Sequence, residues 1–296
     1  MTIDLAMSDV DAWYRDCRIF PWSGNDIVYR DRGDGAAACL LVHGFPTASC
    51  DWIDITAGID GHFRCLAPDL LDYGRSNNPS ARRWHIHDQA DMLEALVAEL
   101  GLSDVHLIVH DVGDTVGQEL LARHNEGSLG FSITSMVLMN GGIFPAEHRP
   151  RPVQKLLLSP VGPLLARLLG RDRFMAALAE VFGENTRPGP EATDALWNIT
   201  IGVNGRASLT RRIHYMNDRV LNEARWVGAL REATIPMLMI NGVDDPISGG
   251  HVCDVLEREV PQMRIARLDS IGHFPPLEAP GDCVRLILDF HGIDRP

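Results

Sequence analysis

No C-x-x-C pair occurs among the six cysteines of this chain, Cys17, Cys39, Cys50, Cys65, Cys253 and Cys283. Their scatter fits reduced packing residues in a cytosolic protein. The first 35 residues mix acids and aromatics without a basic start or an apolar core, and no run approaches the roughly 18 apolar residues of a spanning helix. A soluble, unexported, cytoplasmic protein without a membrane span is expected. Positive charge is scarce: 27 Lys and Arg against 40 Asp and Glu give −13, and nucleic acid is discounted as a partner because a phosphate backbone calls for a basic face. His85 and His87 stand near Asp88 and Asp91, but no H-E-x-x-H or cysteine cluster accompanies them, so neither metal nor cofactor is expected. G-x-S-x-G is also missing, which argues against a serine esterase. There is no internal repeat or low-complexity tract.

What is present is enough apolar residue, 45% of 296, to bury one sizeable core, so a single domain with an insertion is expected. Short β-rich runs at Cys39–Val42, Arg64–Ala67, Val105–Val109, Ile133–Met139 and Met237–Ile240 alternate with helical stretches, the pattern of a mostly parallel sheet flanked by helices. Extended segments at Asp26–Arg30 and Ala36–Leu41, split by Arg32-Gly33-Asp34-Gly35, read as an antiparallel pair opening the sheet. Asp88–Leu100 reads as an amphipathic helix stopped by Gly101. Alternation breaks from Phe144 to Ala229 and resumes at Ile235. This divides the chain into a core of residues 1–143, a helical lid of residues 144–229 inserted between two core strands, and a second core part of residues 230–296.

The sharpest local signal is Leu107-Ile108-Val109-His110-Asp111-Val112-Gly113-Asp114, a β-run turning into a helix that begins near Val112. It has the form of a nucleophile elbow, with Gly113 as the small residue after it and Asp111 at its tip. Asp111 is also a natural helix N-cap, which is the bland alternative. A second signal weighs against that alternative. His43-Gly44-Phe45-Pro46 follows the run Cys39–Val42, and the N–H groups of Phe45 and Val112 can together form an oxyanion hole, with His43 bracing the loop. Asn241-Gly242-Val243-Asp244-Asp245-Pro246 then offers two adjacent carboxylates, of which Asp245 is chosen, and Ser270-Ile271-Gly272-His273 supplies a base after a flexible glycine. Nucleophile, acid and base follow the chain order of an α/β hydrolase. Asp114 is read as an anion placed favourably in the first helical turn, worth about 0.3–1 kcal/mol.

His43-Gly44-Phe45-Pro46, Asp69-Leu70-Leu71-Asp72-Tyr73-Gly74-Arg75-Ser76 and His110-Asp111-x-Gly113 resemble the epoxide hydrolase and haloalkane dehalogenase branch of the α/β hydrolases. Asn140-Gly141-Gly142-Ile143-Phe144-Pro145, Val181-Phe182-Gly183 and Arg225-Trp226-Val227-Gly228-Ala229-Leu230 resemble more closely the mesoderm-specific transcript proteins. The likeness implies an Asp nucleophile, Asp111, that forms an alkyl-enzyme ester, with His273 as base and Asp245 orienting it. It further implies lid proton donors. Of the four tyrosines only Tyr215 lies in the lid, and its setting resembles the later lid tyrosine of epoxide hydrolases; His148 or His214 is the candidate second donor. Haloalkane dehalogenases resembling this chain carry Trp directly after the nucleophile, where Val112 stands. The leading expectation is therefore a cofactor-free epoxide hydrolase that acts on small hydrophobic epoxides and water, as a monomer or homodimer. A dehalogenase or atypical ester hydrolase using Asp111 is the second reading, and a binding protein retaining the fold the third.

Overall fold

The computed structural model describes residues 3, 5–168 and 170–293. Among these, eight strands form one sheet: β1 (Arg18–Trp22), β2 (Asn25–Arg32), β3 (Ala37–Val42), β4 (Phe63–Pro68), β5 (Asp104–His110), β6 (Ser132–Met139), β7 (Met237–Gly242) and β8 (Arg264–Leu268). Their order is β1-β2-β4-β3-β5-β6-β7-β8; the β1–β2 and β2–β4 pairings are antiparallel and the rest parallel. The central strands are runs of Val, Leu, Ile and Met buried along most of their length, as a sheet covered on both faces requires. The edge strands β1 and β8 are only partly covered, and their composition is correspondingly mixed.

Helices α1 (Met7–Arg15), α2 (Ile53–Ile59), α3 (Ile86–Glu99) and α4 (Val112–Asn125) belong to the first part of the chain. The helix expected at Asp88–Leu100 is α3: it buries Met92, Leu93, Leu96 and Val97, and the chain leaves it through Gly101 at φ +66°. Between β6 and β7 lie α5 (Pro152–Leu158), α6 (Gly162–Leu168), α7 (Arg171–Ala179), α8 (Pro190–Ile201), α9 (Ala207–Arg212), α10 (Tyr215–Leu221) and α11 (Glu223–Glu232). Residue 229 falls inside α11, which packs on α4: Trp226 Nε1 and Arg225 both donate to Glu119. The chain ends with α12 (Gly250–Glu259), α13 (Pro275–Glu278) and α14 (Pro280–Phe290). Among the described residues no helix is long and apolar enough to cross a membrane.

The expected antiparallel pairing of Asp26–Arg30 with Ala36–Leu41 does not form. β2 pairs with β1 and β4, and β4 separates it from β3. The connection runs tightly over the start of β4: a Cβ on Gly33 or Gly35 would collide with backbone of Asp60, His62 and Phe63. The two glycines thus carry the chain across β4 instead of turning it back. The crossing also matters for the site. β3 lands beside β5 in parallel register, Val42 opposite Val109, so the loops after these two strands leave the sheet side by side at the strand ends where open α/β sheets place ligands.

Candidate active site

Asp111 sits between β5 and α4 at φ +48° and ψ −101°, a strained conformation for a residue with a side chain. The surroundings hold it there. A Cβ on Gly113 would collide with the Val42 carbonyl oxygen, and one on Gly44 would lie 2.8 Å from the Asp111 Cβ, so bare backbone at both positions permits the close crossing. Although Asp111 occupies the N-cap position, its side chain makes no capping hydrogen bond. The carboxylate instead turns to the loop after β3, where the Phe45 N–H donates to Oδ2 at 3.0 Å. Val112 opens α4, so its N–H is among the first-turn donors that have no acceptor within the helix. His43 ties down this loop, donating from Nδ1 to the Gly44 carbonyl (2.9 Å) and accepting the Leu70 N–H at Nε2 (3.0 Å). Burial lowers its pKa to about 3, so the ring is neutral.

His273 and Asp245 arrive from the ends of the last two strands. His273 Nδ1 donates to Asp245 Oδ2 at 2.7 Å, and Nε2 lies 3.9 Å from Asp111 Oδ2, an ion-pair separation beyond direct hydrogen bonding. Asp244, by contrast, is exposed. Asp245 is saturated with donors: Asn140 Nδ2 (3.0 Å), Ser248 N–H (3.1 Å) and Ser248 Oγ (2.8 Å) on Oδ2, and the Ile247 N–H (2.7 Å) on Oδ1. Burial alone would raise both carboxyls, but the charge of His273 and these donors outweigh it, and Asp111 and Asp245 lie below the ordinary carboxylate range. Burial likewise disfavours charge on His273, yet the two carboxylates lift it to about 10. At neutral pH the two carboxylates are therefore ionised and the imidazole beside them is protonated.

The structure adds residues that sequence reasoning passed over. Arg219 on α10 is 2% exposed, and its Nη2 lies 3.7 Å from Asp111 Oδ1. Glu278 knots the base loop: Oε2 accepts the N–H groups of Gly183 and Gly272 and the Thr186 hydroxyl, and Oε1 accepts the Phe274 N–H. Asn140, at φ +44°, bridges Asp245 and Gly242. Arg219 carried no local signal, because an arginine between Asp218 and Val220 on a short helix reads as solvated. Asp114 departs from expectation: it is wholly buried, accepts the Met139 N–H at 3.3 Å, and burial pushes its carboxyl well above the usual range, so it is no solvated anion at a helix end.

Tyr215 is buried against Phe45, with ring centroids 6.0 Å apart. His148 approaches Arg219 at 3.4 Å and is held neutral by burial, its pKa near 3. His214 is not brought to Asp111; it pairs with Asn217, and its ionisable neighbours are Arg83, Asp218 and His85. A small apolar pocket reaches His273 and Phe45, walled by Val153, Phe174, Leu178 and Ile247 among others.

The family model described as the alpha/beta hydrolase fold matches residues 38–280. The human mesoderm-specific transcript homolog protein is 36% identical over 283 residues, which cover 91% of this chain and 84% of that protein. A putative hydrolase of Mycobacterium tuberculosis, LipZ, is 30% identical over 271 residues, 92% of this chain and 94% of its own. The crystal structure of a loop variant of the haloalkane dehalogenase DbeA from Bradyrhizobium elkanii is similar in fold, with a TM-score of 0.78 at 22% identity, covering 93% of this chain and 96% of that one.

Proposed function

The chain belongs to the alpha/beta hydrolase fold family, and we propose that it hydrolyses small hydrophobic epoxides to vicinal diols through an alkyl ester on Asp111. The observation that carries this reading is the polarised Asp111 carboxylate: Oδ2 is held by the Phe45 N–H, Oδ1 is left to attack, and the His273–Asp245 pair stands behind. A carboxylate that displaces an oxygen from saturated carbon divides one difficult hydrolysis into two easier steps. In the first, Oδ1 bonds to an epoxide carbon, the ring C–O bond breaks, and Tyr215 gives its phenol proton to the departing oxygen. Esterification removes the charge of Asp111 that helps to keep the extra proton on His273. The imidazole can then pass that proton to the Tyr215 phenolate and serve as base.

In the second step His273 takes a proton from water, the hydroxide adds to the ester carbonyl, and the N–H groups of Phe45 and Val112 hold the oxyanion. The 3.9 Å gap between His273 Nε2 and Oδ2 suits a water placed between them. Collapse of the adduct breaks the ester C–O bond, the departing alkoxide takes the proton left on the added hydroxyl, and the diol leaves with Asp111 ionised and His273 protonated as before. In this reading residues 144–229 act as a lid that supplies Tyr215, and the apolar pocket takes the hydrocarbon part of the substrate. His148 is the candidate second donor, since it lies against Arg219. No metal or cofactor enters either step.

The test is His273→Gln mixed with a panel of epoxides and alkyl halides and followed by intact-protein mass spectrometry. Alkylation needs no base and ester hydrolysis does, so the adduct should accumulate, with peptide mapping placing it on Asp111. An epoxide adds its full mass, whereas a halide adds its mass less the hydrogen halide, so the same spectrum separates epoxide hydrolase from dehalogenase. No adduct with any compound that wild type turns over, or an adduct on another residue, removes Asp111 from this role.

A further inference from the structure

Neither the motifs nor the relatives give Arg219 a task, yet its side chain is wrapped around the proposed nucleophile. Nε donates to Thr115 Oγ1 at 2.9 Å and Nη2 to the Asp111 backbone oxygen at 3.3 Å, while Nη2 also faces Asp111 Oδ1 at 3.7 Å. Its guanidinium carbon lies 4.9 Å from the centre of the Tyr215 ring. Space for the group comes from Gly142, where a Cβ would strike Nη1. A buried cation is costly unless an anion accompanies it. Here the charges stand in opposed pairs: Asp111 and Asp245 are held ionised, His273 is held protonated beside Arg219, and burial disfavours the charged form of Asp114. Alkylation of Oδ1 would cancel one of the two negative charges and leave Arg219 without its partner, facing Tyr215.

Building on the epoxide-opening reading above, we propose that Arg219 is a positioning residue that passes its ion pairing from Asp111 to the Tyr215 phenolate as the ring opens. The Oδ1–carbon bond forms, the ring C–O bond breaks, the freed oxygen takes the Tyr215 proton, and the phenolate is left against the guanidinium. His273 then returns a proton to the phenolate and becomes the neutral base, so protons and charge balance without a further reactant. Tyr215 is suited to this exchange. Its hydroxyl is buried and makes no hydrogen bond of good geometry among the described residues, with the Gln154 side chain close by. Burial, the Asp111 charge and Tyr73 hold the phenol well above its ordinary value, while Arg219 and Gln154 pull it down. Loss of the Asp111 charge removes one raising influence and leaves Arg219 and Gln154 working against burial and Tyr73 alone, so the donor becomes a stronger acid at the moment it is needed.

Asp111→Asn reproduces the uncharged ester without any substrate, and the Tyr215 phenol can be titrated by tyrosinate absorbance against matched Tyr215→Phe proteins. The phenol should titrate lower in Asp111→Asn than in wild type. Adding Arg219→Gln should raise it by about 1–3 units, and Arg219→Lys should keep most of the lowering. A Tyr215 titration that neither Arg219 variant moves, in proteins with melting temperatures near that of Asp111→Asn, would overturn the proposal. If Arg219→Gln does not fold, Arg219→Lys against Asp111→Asn decides, a small rise supporting the exchange and no change refuting it. Failure of epoxides to alkylate Asp111 in His273→Gln would instead overturn the reading of function and leave this titration standing.

Discussion

Asp111 and Asp245 are both buried carboxylates, and the partners of their oxygens separate them. Asp245 accepts from His273, Asn140, Ser248 and Ile247, which leaves it neither freedom nor an unused oxygen. Asp111 has one N–H on Oδ2 and a guanidinium at longer range on Oδ1, which keeps it ionised and, on the function proposed above, leaves Oδ1 free to attack. Asp245→Asn should therefore lower turnover by about 10²- to 10⁴-fold, through a misoriented imidazole. Asp244→Asn, at an exposed position, should stay within about twofold of wild type. Steady-state kinetics on both variants checks the pair, and a larger loss at Asp244 would reverse the assignment. That Asp111, His273 and Asp245 would be brought together was legible in the sequence because each stands after a strand in a turn of recognisable composition. Arg219 was not, since its role depends on where α10 docks, and no spacing within α10 encodes that.

Strands β3 to β7 were legible as elements because burial on both faces demands unbroken apolar runs. The edge strand β1 escaped notice for the converse reason: a half-covered strand carries ordinary mixed composition. Pairing was the weak point, for Gly33 and Gly35 read equally well as a tight turn or as a tight crossing. The loop bearing His273 shows how a short element can support a site. Glu278 gathers it to the segment after α7 by accepting from Gly183, Gly272, Thr186 and Phe274, and the His273 N–H donates to the Val181 carbonyl. Glu278→Gln replaces one acceptor by a donor facing N–H groups, and should cost about 1.5–3 kcal/mol. Thermal unfolding should register that loss, and kcat should fall with it because the imidazole is less firmly aimed. An unchanged kcat in a destabilised variant would confine Glu278 to holding the fold.

Across the whole molecule, buried titratable groups set opposing limits on stability with pH. His43, His110 and His148 are lowered by burial to about 3, 4 and 3, so what they contribute is present above their ordinary 6.5 and fades as pH falls through those values. Asp111 and Asp245, held below the ordinary 3.8, also weaken the fold only toward acid. His273 acts the other way: raised to about 10, it contributes fully below pH 6.5 and loses that contribution as pH rises through 10. Asp51 also acts on that side. Burial raises it to about 8, so its share is present below 3.8 and lost as pH rises through 8. The melting temperature should accordingly peak near neutrality and fall toward both about pH 4 and about pH 10. Asp51→Asn should flatten the descent from neutral to mildly alkaline pH, which calorimetry across that range can check. A wild-type melting temperature that climbs steadily into alkali would contradict the account.

The elbow between β5 and α4 assigns shape and chemistry to different residues. Gly44 and Gly113 cannot be exchanged without moving backbone, because the Val42 carbonyl and the Asp111 Cβ already occupy the space beside them. Position 111 is constrained only as far as its Cβ, and whatever lies beyond projects toward the same N–H donor and the same imidazole. On the function proposed above, an ancestral chain could thus change the atom that attacks by altering one codon while the glycines, His273 and Asp245 stayed as they were. Such a scaffold can diversify in reactivity far more readily than in form.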